Sequence, residues 1–165
     1  MNANPKDDNM MLFEMKKREN IYLDVCCMCR PFDDLAQDRV RREADAVKEI
    51  LLRIGKGEWS WVGSDVMMFE IGEITEQDLQ LDIALMIRDV SRVVVPGDAE
   101  RSRAAVLRGL GFKDVDSLHL ACAESAVVDV FLTTDDVLLK RAKRHADAVK
   151  VKVRNPLNWL AEVLL

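Results

Sequence analysis

Short apolar runs alternate with longer amphipathic stretches from about residue 20 to the end of the chain. Apolar runs of this kind are typical of strands buried on both faces of a parallel sheet. They predict five strands, at 20–25, 59–63, 93–95, 129–133 and 149–153. Between and after them, apolar residues recur at helical spacing and predict helices over 35–54, 64–74, 78–92, 98–110, 115–126, 135–146 and 156–164. Strands separated by helices predict an α/β fold, a three-layer α/β/α sandwich around a parallel sheet.

Length and composition place these elements in one domain. The chain has 165 residues, of which 49% are hydrophobic, enough for a sizeable core. We expect residues 1–19 to form a loosely ordered extension and residues 20–165 to form the domain. No apolar stretch approaches the roughly 18 residues of a membrane helix, so no membrane partner is expected.

The N-terminal basic residues follow the apolar patch at 10–13 instead of preceding it, which is the wrong order for a secretory signal, so we expect a cytoplasmic protein. Three of the four cysteines are crowded into Cys26-Cys27-Met28-Cys29. In a chain without an export signal this spacing predicts free, largely buried thiols instead of a disulfide framework. The formal net charge of −5 argues against a protein that coats nucleic acid nonspecifically, since such proteins are usually basic.

Four carboxylates lie where an apolar segment ends or where a helix begins its buried face: Asp24, Glu70, Asp116 and Asp135. Carboxylates at such places are costly to desolvate and repel one another unless a positive group lies among them. Ligands of open parallel sheets collect at the C-terminal ends of the strands, and Asp24 and Asp135 follow two such ends. A divalent cation among them would offset much of this repulsion. The pattern therefore indicates metal-dependent hydrolysis, with a phosphodiester as the favoured substrate.

Each acid also has a purely structural interpretation. Asp24 could satisfy backbone N–H groups in a turn, and Glu70 could be a solvated acid at the border of a buried helix face. Asp116 and Asp135 could be helix N-caps, which in the case of Asp135 is compatible with a functional role. His119, one turn after Asp116, could be a satisfied half-buried imidazole, a hydrogen-bond partner that orients Asp116, or a ligand.

Hydroxyls and basic residues surround the last of these acids. Thr133 precedes Asp135 and Asp136 at the end of the fourth predicted strand, and such an oxygen-rich set suits Mg²⁺. The next predicted helix carries a basic run, Lys140, Arg141, Lys143 and Arg144. This run could be a solvated face, or it could hold a substrate backbone beside the site. Arg30 belongs to a second basic group, behind the first strand.

Several catalytic signatures are absent from the sequence. It contains no Walker-type glycine loop, no GxGxxG, no GxSxG and no HExxH. Cys26 stands two residues after Asp24, where the haloacid-dehalogenase phosphatases have a second Asp. The acids therefore remain the main chemical signal of the chain.

Taken in order, these segments resemble the PIN-domain family, in particular the VapC-like toxins of bacterial toxin–antitoxin pairs. The resemblance is carried by Ile21-Tyr22-Leu23-Asp24, by Ser64 to Glu70, by Asp116-Ser117-Leu118-His119-Leu120-Ala121 and by Phe131-Leu132-Thr133-Thr134-Asp135. With the closing Asn155-Pro156-Leu157-Asn158-Trp159-Leu160 it extends over about residues 20 to 161. One departure is Cys26, where many members carry Asn or Ser.

The resemblance implies a five-stranded, flavodoxin-like sandwich and a Mg²⁺- or Mn²⁺-dependent endoribonuclease. It makes Asp24, Glu70, Asp116 and Asp135 the quartet that binds metal and carries catalysis. It also makes Thr133 a site hydroxyl. The implied partners are an RNA substrate, a small antitoxin and a second copy of the chain. The alternative is a PIN-like fold kept as an RNA- or protein-binding module with little or no catalysis, and the retention of all four acids favours the enzyme.

Overall fold

A computed structural model describes residues 18–165, and its centre is a sheet of five parallel strands. The strands are β1 (Asn20–Leu23), β2 (Ser60–Ser64), β3 (Val90–Val94), β4 (Val130–Leu132) and β5 (Val153–Arg154). Their order across the sheet is β3-β2-β1-β4-β5, and every pairing is parallel. The predicted five-stranded parallel sheet is confirmed.

Helices cover both faces of this sheet. The part of the chain that the structure describes contains α1 (Val25–Cys29), α2 (Asp38–Gly55), α3 (Asp65–Gly72), α4 (Gln77–Met86), α5 (Asp98–Gly109), α6 (Asp114–Ser125), α7 (Asp136–Arg144) and α8 (Pro156–Leu164). Side chains of α1, α2, α4 and α8 pack in one core, and side chains of α5, α6 and α7 pack in another. The predicted three-layer α/β/α sandwich is confirmed.

The period-two alternation of the central strand separates the two cores. Ile21 and Leu23 point into the α2 and α8 layer, whereas Tyr22 points into the α5–α7 layer. All three side chains are fully buried, which is why this segment reads as a continuous apolar run instead of an alternating one. The central strand therefore ends in the most enclosed part of the molecule, and Asp24 follows it there.

β2 and β4 differ from the sequence-based predictions by one residue at each end, and the other three strands differ by more. β1 ends at Leu23, not at residue 25. Asp24 N still donates to Leu132 O of the neighbouring strand, but Asp24 O accepts from Cys27 N, which begins α1. β3 begins at Val90, inside the predicted helix 78–92. It is an edge strand with an exposed centre, so its first half carries Ser91 and Arg92 in place of a continuous apolar run. β5 covers Val153–Arg154 and not 149–153.

The first 17 positions of the predicted extension lie outside the described residues. Glu19, at its end, accepts a hydrogen bond from Ser60 N over 2.9 Å, directly before β1. Within residues 18–165 no helix combines the length and the apolar character needed to cross a membrane. All four cysteines are free, as predicted; Cys27 and Cys122 are buried, and the other two are partly exposed.

Candidate metal centre

Asp24 is held in a fixed orientation at the C-terminal end of β1. Its side chain is nearly enclosed, with 7% of its surface exposed. Thr133 Oγ1 donates to Asp24 Oδ2 over 2.8 Å, and the Cys26 thiol donates to the same oxygen over 3.3 Å. Burial raises the pKa of the Asp24 carboxyl above its usual value, and the nearby Glu70 acts in the same direction. The neighbouring His119 and the Thr133 hydrogen bond oppose this shift.

Thr133 connects this carboxylate to a second one. Its hydroxyl donates to Asp24 and accepts from Asp135 N over 3.1 Å. Asp135 caps α7, since its Oδ1 accepts from Val137 N and Leu138 N over 2.8 and 3.2 Å. The predicted capping role is therefore present. It uses only Oδ1 in these contacts, so Oδ2 stays available as a ligand.

Glu70 reaches the same edge from α3 and is held by a histidine. His119 Nε2 lies 2.7 Å from Glu70 Oε2. A carboxylate can only accept hydrogen bonds, so Nε2 carries a proton and donates. His119 is 1% exposed, whereas 40% of the Glu70 side chain is exposed. The imidazole is fully buried and orients Glu70. One sequence-based alternative was that His119 orients Asp116, but the structure shows no hydrogen bond between these two side chains.

Behind His119 lies a hydrogen-bond chain that the sequence reasoning missed. Tyr22 OH lies 2.6 Å from His119 Nδ1 and 2.5 Å from Ser64 Oγ, and Ser64 caps α3 by accepting from Met67 N. Burial raises the pKa of the Tyr22 phenol well above its usual value, so the phenol keeps its proton. The signal was present, because Tyr22 is the one tyrosine of the chain, and a buried tyrosine hydroxyl requires a partner.

Asp116 is the acid that no neighbour holds. It lies on the first turn of α6 and is half-buried. Its side chain makes no hydrogen bond or ion pair to the residues described. The pKa of its carboxyl is raised from the usual 3.8 to about 6, chiefly by burial and in addition by the negative charges of Asp24 and Asp135; Lys113 and His119 act in the opposite direction. Asp24 and Asp135 are therefore electrostatic neighbours of Asp116.

The donor set of this site fits a hard divalent cation. Ligand atoms of Asp24, Glu70 and His119 lie within 4.8 Å of one another. Across residues 18–165, no lysine or arginine forms an ion pair within 4 Å of Asp24, Glu70, Asp116 or Asp135. The carboxylates are therefore concentrated without a compensating side-chain cation, which is the condition that Mg²⁺ or Mn²⁺ relieves through oxygen ligands. His119 Nε2 is occupied by Glu70, so the carboxylates are the natural ligands.

Two residues that the sequence placed near the site are engaged elsewhere. Asp136 accepts two hydrogen bonds from Arg39, over 2.8 and 2.6 Å. Arg30 pairs with Asp33 and lies 2.9 Å from the buried carboxylate of Glu43, an ion pair without hydrogen-bond geometry. The Asp136 contact ties the start of α7 to α2, and the Arg30 contact ties the segment after α1 to α2, so these two residues have a structural function in the fold.

The predicted basic run is divided between two surfaces of α7. Lys140 and Lys143 line a groove beside β5. Arg141 lies on another face, in a small pocket that it shares with Asp116 and Gly111. Gly111 has a φ of +94° in the turn before α6, a backbone conformation that favours glycine. The sequence had treated the run as one patch, whereas helical geometry separates its members.

Comparison with solved structures identifies the fold. The chain is similar to FitAcB from Neisseria gonorrhoeae, with a TM-score of 0.52 and 16% identity over 82% of this chain and 97% of that one. It is also similar to VapBC2 from Rickettsia felis, bound to a DNA fragment from their promoter, with a TM-score of 0.54 and 11% identity over 82% and 98%. No protein-family model and no curated protein matches the sequence. The chain has a VapC-like PIN fold.

Proposed function

We propose that the protein is a Mg²⁺- or Mn²⁺-dependent endoribonuclease of the toxin class, and that Asp24, Glu70, Asp116 and Asp135 bind the metal. The observation that carries the proposal is the approach of Asp24 and Glu70, whose ligand atoms lie within 4.8 Å of each other at the edge of a PIN-type sheet. Thr133 links Asp135 to Asp24, and the charges of Asp24 and Asp135 add to burial in raising the pKa of Asp116. No lysine or arginine of the described chain forms an ion pair with any of the four. A binding module has no need of such a cluster, because in the absence of a cation it destabilises the fold.

The chain's own residues have distinct tasks in this function. Thr133 and His119 fix the carboxylates of Asp24 and Glu70 before substrate arrives, so little reorganisation is needed at the reaction step. Asp116 and the free oxygen of Asp135 complete the set. A divalent cation bound there supplies an activated water and offsets charge at the scissile phosphate.

The structural neighbours support the biological setting of the proposal. One of them is a VapBC2 complex with promoter DNA, and VapC-like proteins are toxins paired with an antitoxin. We therefore assign this chain an RNA substrate, an antitoxin that covers the acidic site, and a cytoplasmic location. A homodimer is the expected assembly, and exposed apolar side chains near the β3 edge, such as Leu81, Leu85 and Val95, are available for it.

The test is cleavage of a pooled preparation of transfer, ribosomal and messenger RNA by the purified protein, with Mg²⁺, Mn²⁺ or EDTA. Asp24→Asn is the inactive variant, and Asp45→Asn, an exposed acid on α2, is the matched control. We expect discrete products that require metal, disappear with Asp24→Asn and persist with Asp45→Asn. Absence of cleavage by folded, antitoxin-free protein would favour the binding module instead. Identical, metal-independent products from all proteins would indicate a contaminating nuclease.

A further inference from the structure

A groove of about 840 Å³ runs along the open side of β5, between α7 and α8. Its floor is apolar and includes Leu139, Val151 and Val153. Five cations line it, two on α7 and three on the β5 segment: Lys140, Lys143, Lys150, Lys152 and Arg154. We call these five residues with their apolar floor the basic groove. None of its lining residues belongs to the four acids of the candidate metal centre.

Cationic charge is concentrated in this groove although the chain as a whole is acidic. Four of the seven lysines at or after residue 18 line it. All four are exposed, and within the described chain none has an acidic partner within 4 Å. Glu162 lies 3.7 Å from Arg154 and is the acid among the lining residues. Exposed lysines without partners, aligned along one groove, are a binding surface for a polyanion.

The groove begins beside the candidate metal centre. Thr133 N donates to Arg154 O over 3.0 Å, and the hydroxyl of the same Thr133 donates to Asp24 over 2.8 Å. Neighbouring strands are about 4.8 Å apart, so the end of β5 lies within one strand spacing of the site. From Arg154 back to Lys150 the segment extends at most about 13 Å, at roughly 3.3 Å per residue when fully extended. A single-stranded nucleic acid held at the metal centre can therefore continue directly into the groove.

The lining residues favour a sugar–phosphate backbone over a protein segment. Lysine is depleted in protein–protein interfaces, whereas lysine and arginine are the usual partners of nucleic-acid phosphates. The lining contains no aromatic residue, so bases have no stacking platform there. Contacts of this kind position a strand without reading its sequence.

We infer that the basic groove binds the backbone of single-stranded RNA on one side of the scissile phosphate, through Lys140, Lys143, Lys150 and Lys152. The inference rests on the proposed ribonuclease function for the nature of the ligand. It adds a substrate-binding surface to the acidic site. It also divides the α7 basic run, since Arg141 lies outside this surface.

The test measures RNA binding without cleavage. Fluorescence anisotropy of a labelled, mixed-sequence single-stranded RNA is recorded in EDTA over a salt series. The groove variant carries Lys→Gln at positions 140, 143, 150 and 152. The matched control carries Lys48→Gln, Lys56→Gln, Arg88→Gln and Arg101→Gln, four exposed cations elsewhere with the same change of charge. Thermal melts check that both variants are folded.

Each phosphate contact on a single strand contributes about 0.7 to the slope of log K against log salt. We therefore expect the slope of the groove variant to be smaller in magnitude by about 2 to 3 than that of the wild type. Its affinity for RNA near 100 mM salt should be at least about tenfold lower. The control should retain the wild-type slope. In cleavage assays the groove variant should raise KM and leave kcat nearly unchanged, because its residues contact the flank and not the reacting atoms.

An unchanged slope in the groove variant, an equal loss in the control, or no RNA binding by the wild type would overturn the inference. The inference would also be overturned if labelled polyglutamate bound to the groove and labelled RNA did not. That result would identify an acidic protein as the ligand. The two proposals fail separately. Groove-dependent RNA binding without cleavage of any RNA would support the groove and contradict the nuclease. Normal RNA cleavage by the wild type, with an unaltered salt slope in the groove variant, would support the nuclease and contradict the groove.

Discussion

Asp24 and Asp116 lie at the same edge of the sheet, yet their carboxylates differ in burial and in hydrogen bonding. Asp24 is almost enclosed and accepts from Thr133 and Cys26. The Asp116 side chain is half-buried and makes no hydrogen bond to any residue described. Burial, together with the charges of Asp24 and Asp135, raises the pKa of its carboxyl to about 6. One carboxylate is positioned in advance by the fold, whereas the other has no hydrogen-bond partner among the described residues.

The difference follows from the elements that carry the two acids. Asp24 follows the central strand, where β4 supplies Thr133 from the adjacent position. Asp116 projects from the first turn of α6, where no side chain of the described residues lies within hydrogen-bond distance of its carboxylate, although Arg141 shares a small pocket with it. Glu70 resembles Asp24, because His119 orients it. Under the proposed function, the fixed pair Asp24 and Glu70 would place the metal, and Asp116 would be a further ligand.

Substitution of the fixed acid should give the largest effect. We expect Asp24→Asn to lower metal-dependent cleavage by at least about 100-fold, more than Asp116→Asn, because the amide removes the preorganised charge. Rates of both variants at saturating Mn²⁺ would measure the difference. Equal losses, or a larger loss for Asp116→Asn, would contradict the distinction between fixed and unfixed acids.

Removal of the Thr133 hydroxyl should convert Asp24 into an unfixed acid. Thr133→Val keeps the shape of the side chain and removes both its donation to Asp24 and its acceptance from Asp135 N. We expect about 10- to 100-fold weaker metal affinity or activity, the range found for groups that orient a ligand. Thr133→Ser retains the hydroxyl and is the control. If Thr133→Ser and Thr133→Val lose activity equally, the hydroxyl is not the relevant group.

Interruption of the chain behind His119 should have a smaller effect. Tyr22→Phe removes the hydroxyl that contacts both His119 and Ser64 and leaves the ring on Phe131, against which it stacks at 5.2 Å. We expect loss of about 1 to 3 kcal/mol of stability, because two buried polar groups lose a partner. Activity should fall about tenfold through poorer orientation of Glu70.

The control for that experiment is Phe131→Leu, which disturbs the same ring packing and removes no hydrogen bond. Chemical denaturation gives the stability of both variants, and cleavage rates give the activity. Loss of activity that simply follows stability in both proteins would show that the hydrogen-bond chain has no positioning role.

The unfixed acid should be visible in the stability of the metal-free protein. The folded-state pKa of Asp116 is raised from 3.8 to about 6, so the folded state holds a proton that the unfolded state releases more readily. Asp116 therefore favours folding below about pH 4, and this contribution is lost as the pH rises through 6. Asp116→Asn should stabilise the metal-free protein at pH 7 by about 1 kcal/mol, a figure reduced for solvent screening because the group is half-buried.

Unfolding in EDTA at pH 4, 5, 6 and 7 would measure this effect. The advantage of Asp116→Asn should grow with pH and shrink when Mg²⁺ or Mn²⁺ is added, since the cation compensates the wild-type carboxylate. A pH-independent difference between the two proteins would contradict the proposed repulsion.

Much of the sheet, and the acids themselves, could be predicted from sequence because both depend on local pattern. The apolar runs before Asp24 and before Asp135 identify buried strands, and carboxylates that follow buried strands are conspicuous. The β3 boundary could not be predicted, because an exposed edge strand needs no apolar pattern. The orientation of Glu70 by His119, and of His119 by Tyr22, depends on contacts across 49 and 97 positions, and no local spacing encodes them.

Cys26 is the departure from the PIN pattern, and its replacement should give the smallest effect. Its thiol lies 3.3 Å from both Asp24 Oδ2 and Thr133 Oγ1, and its sulfur accepts from Thr134 N over 3.3 Å. A thiol is a weak donor, whereas a hydroxyl is a better one. Cys26→Ser should therefore hold Asp24 more firmly and change cleavage or metal affinity by less than about fivefold, in the favourable direction. Cys26→Ala leaves Thr133 as the remaining side-chain donor to Asp24 and should lower cleavage and metal affinity by a similar factor. If Cys26→Ser causes as large a loss as Cys26→Ala, the sulfur itself is required.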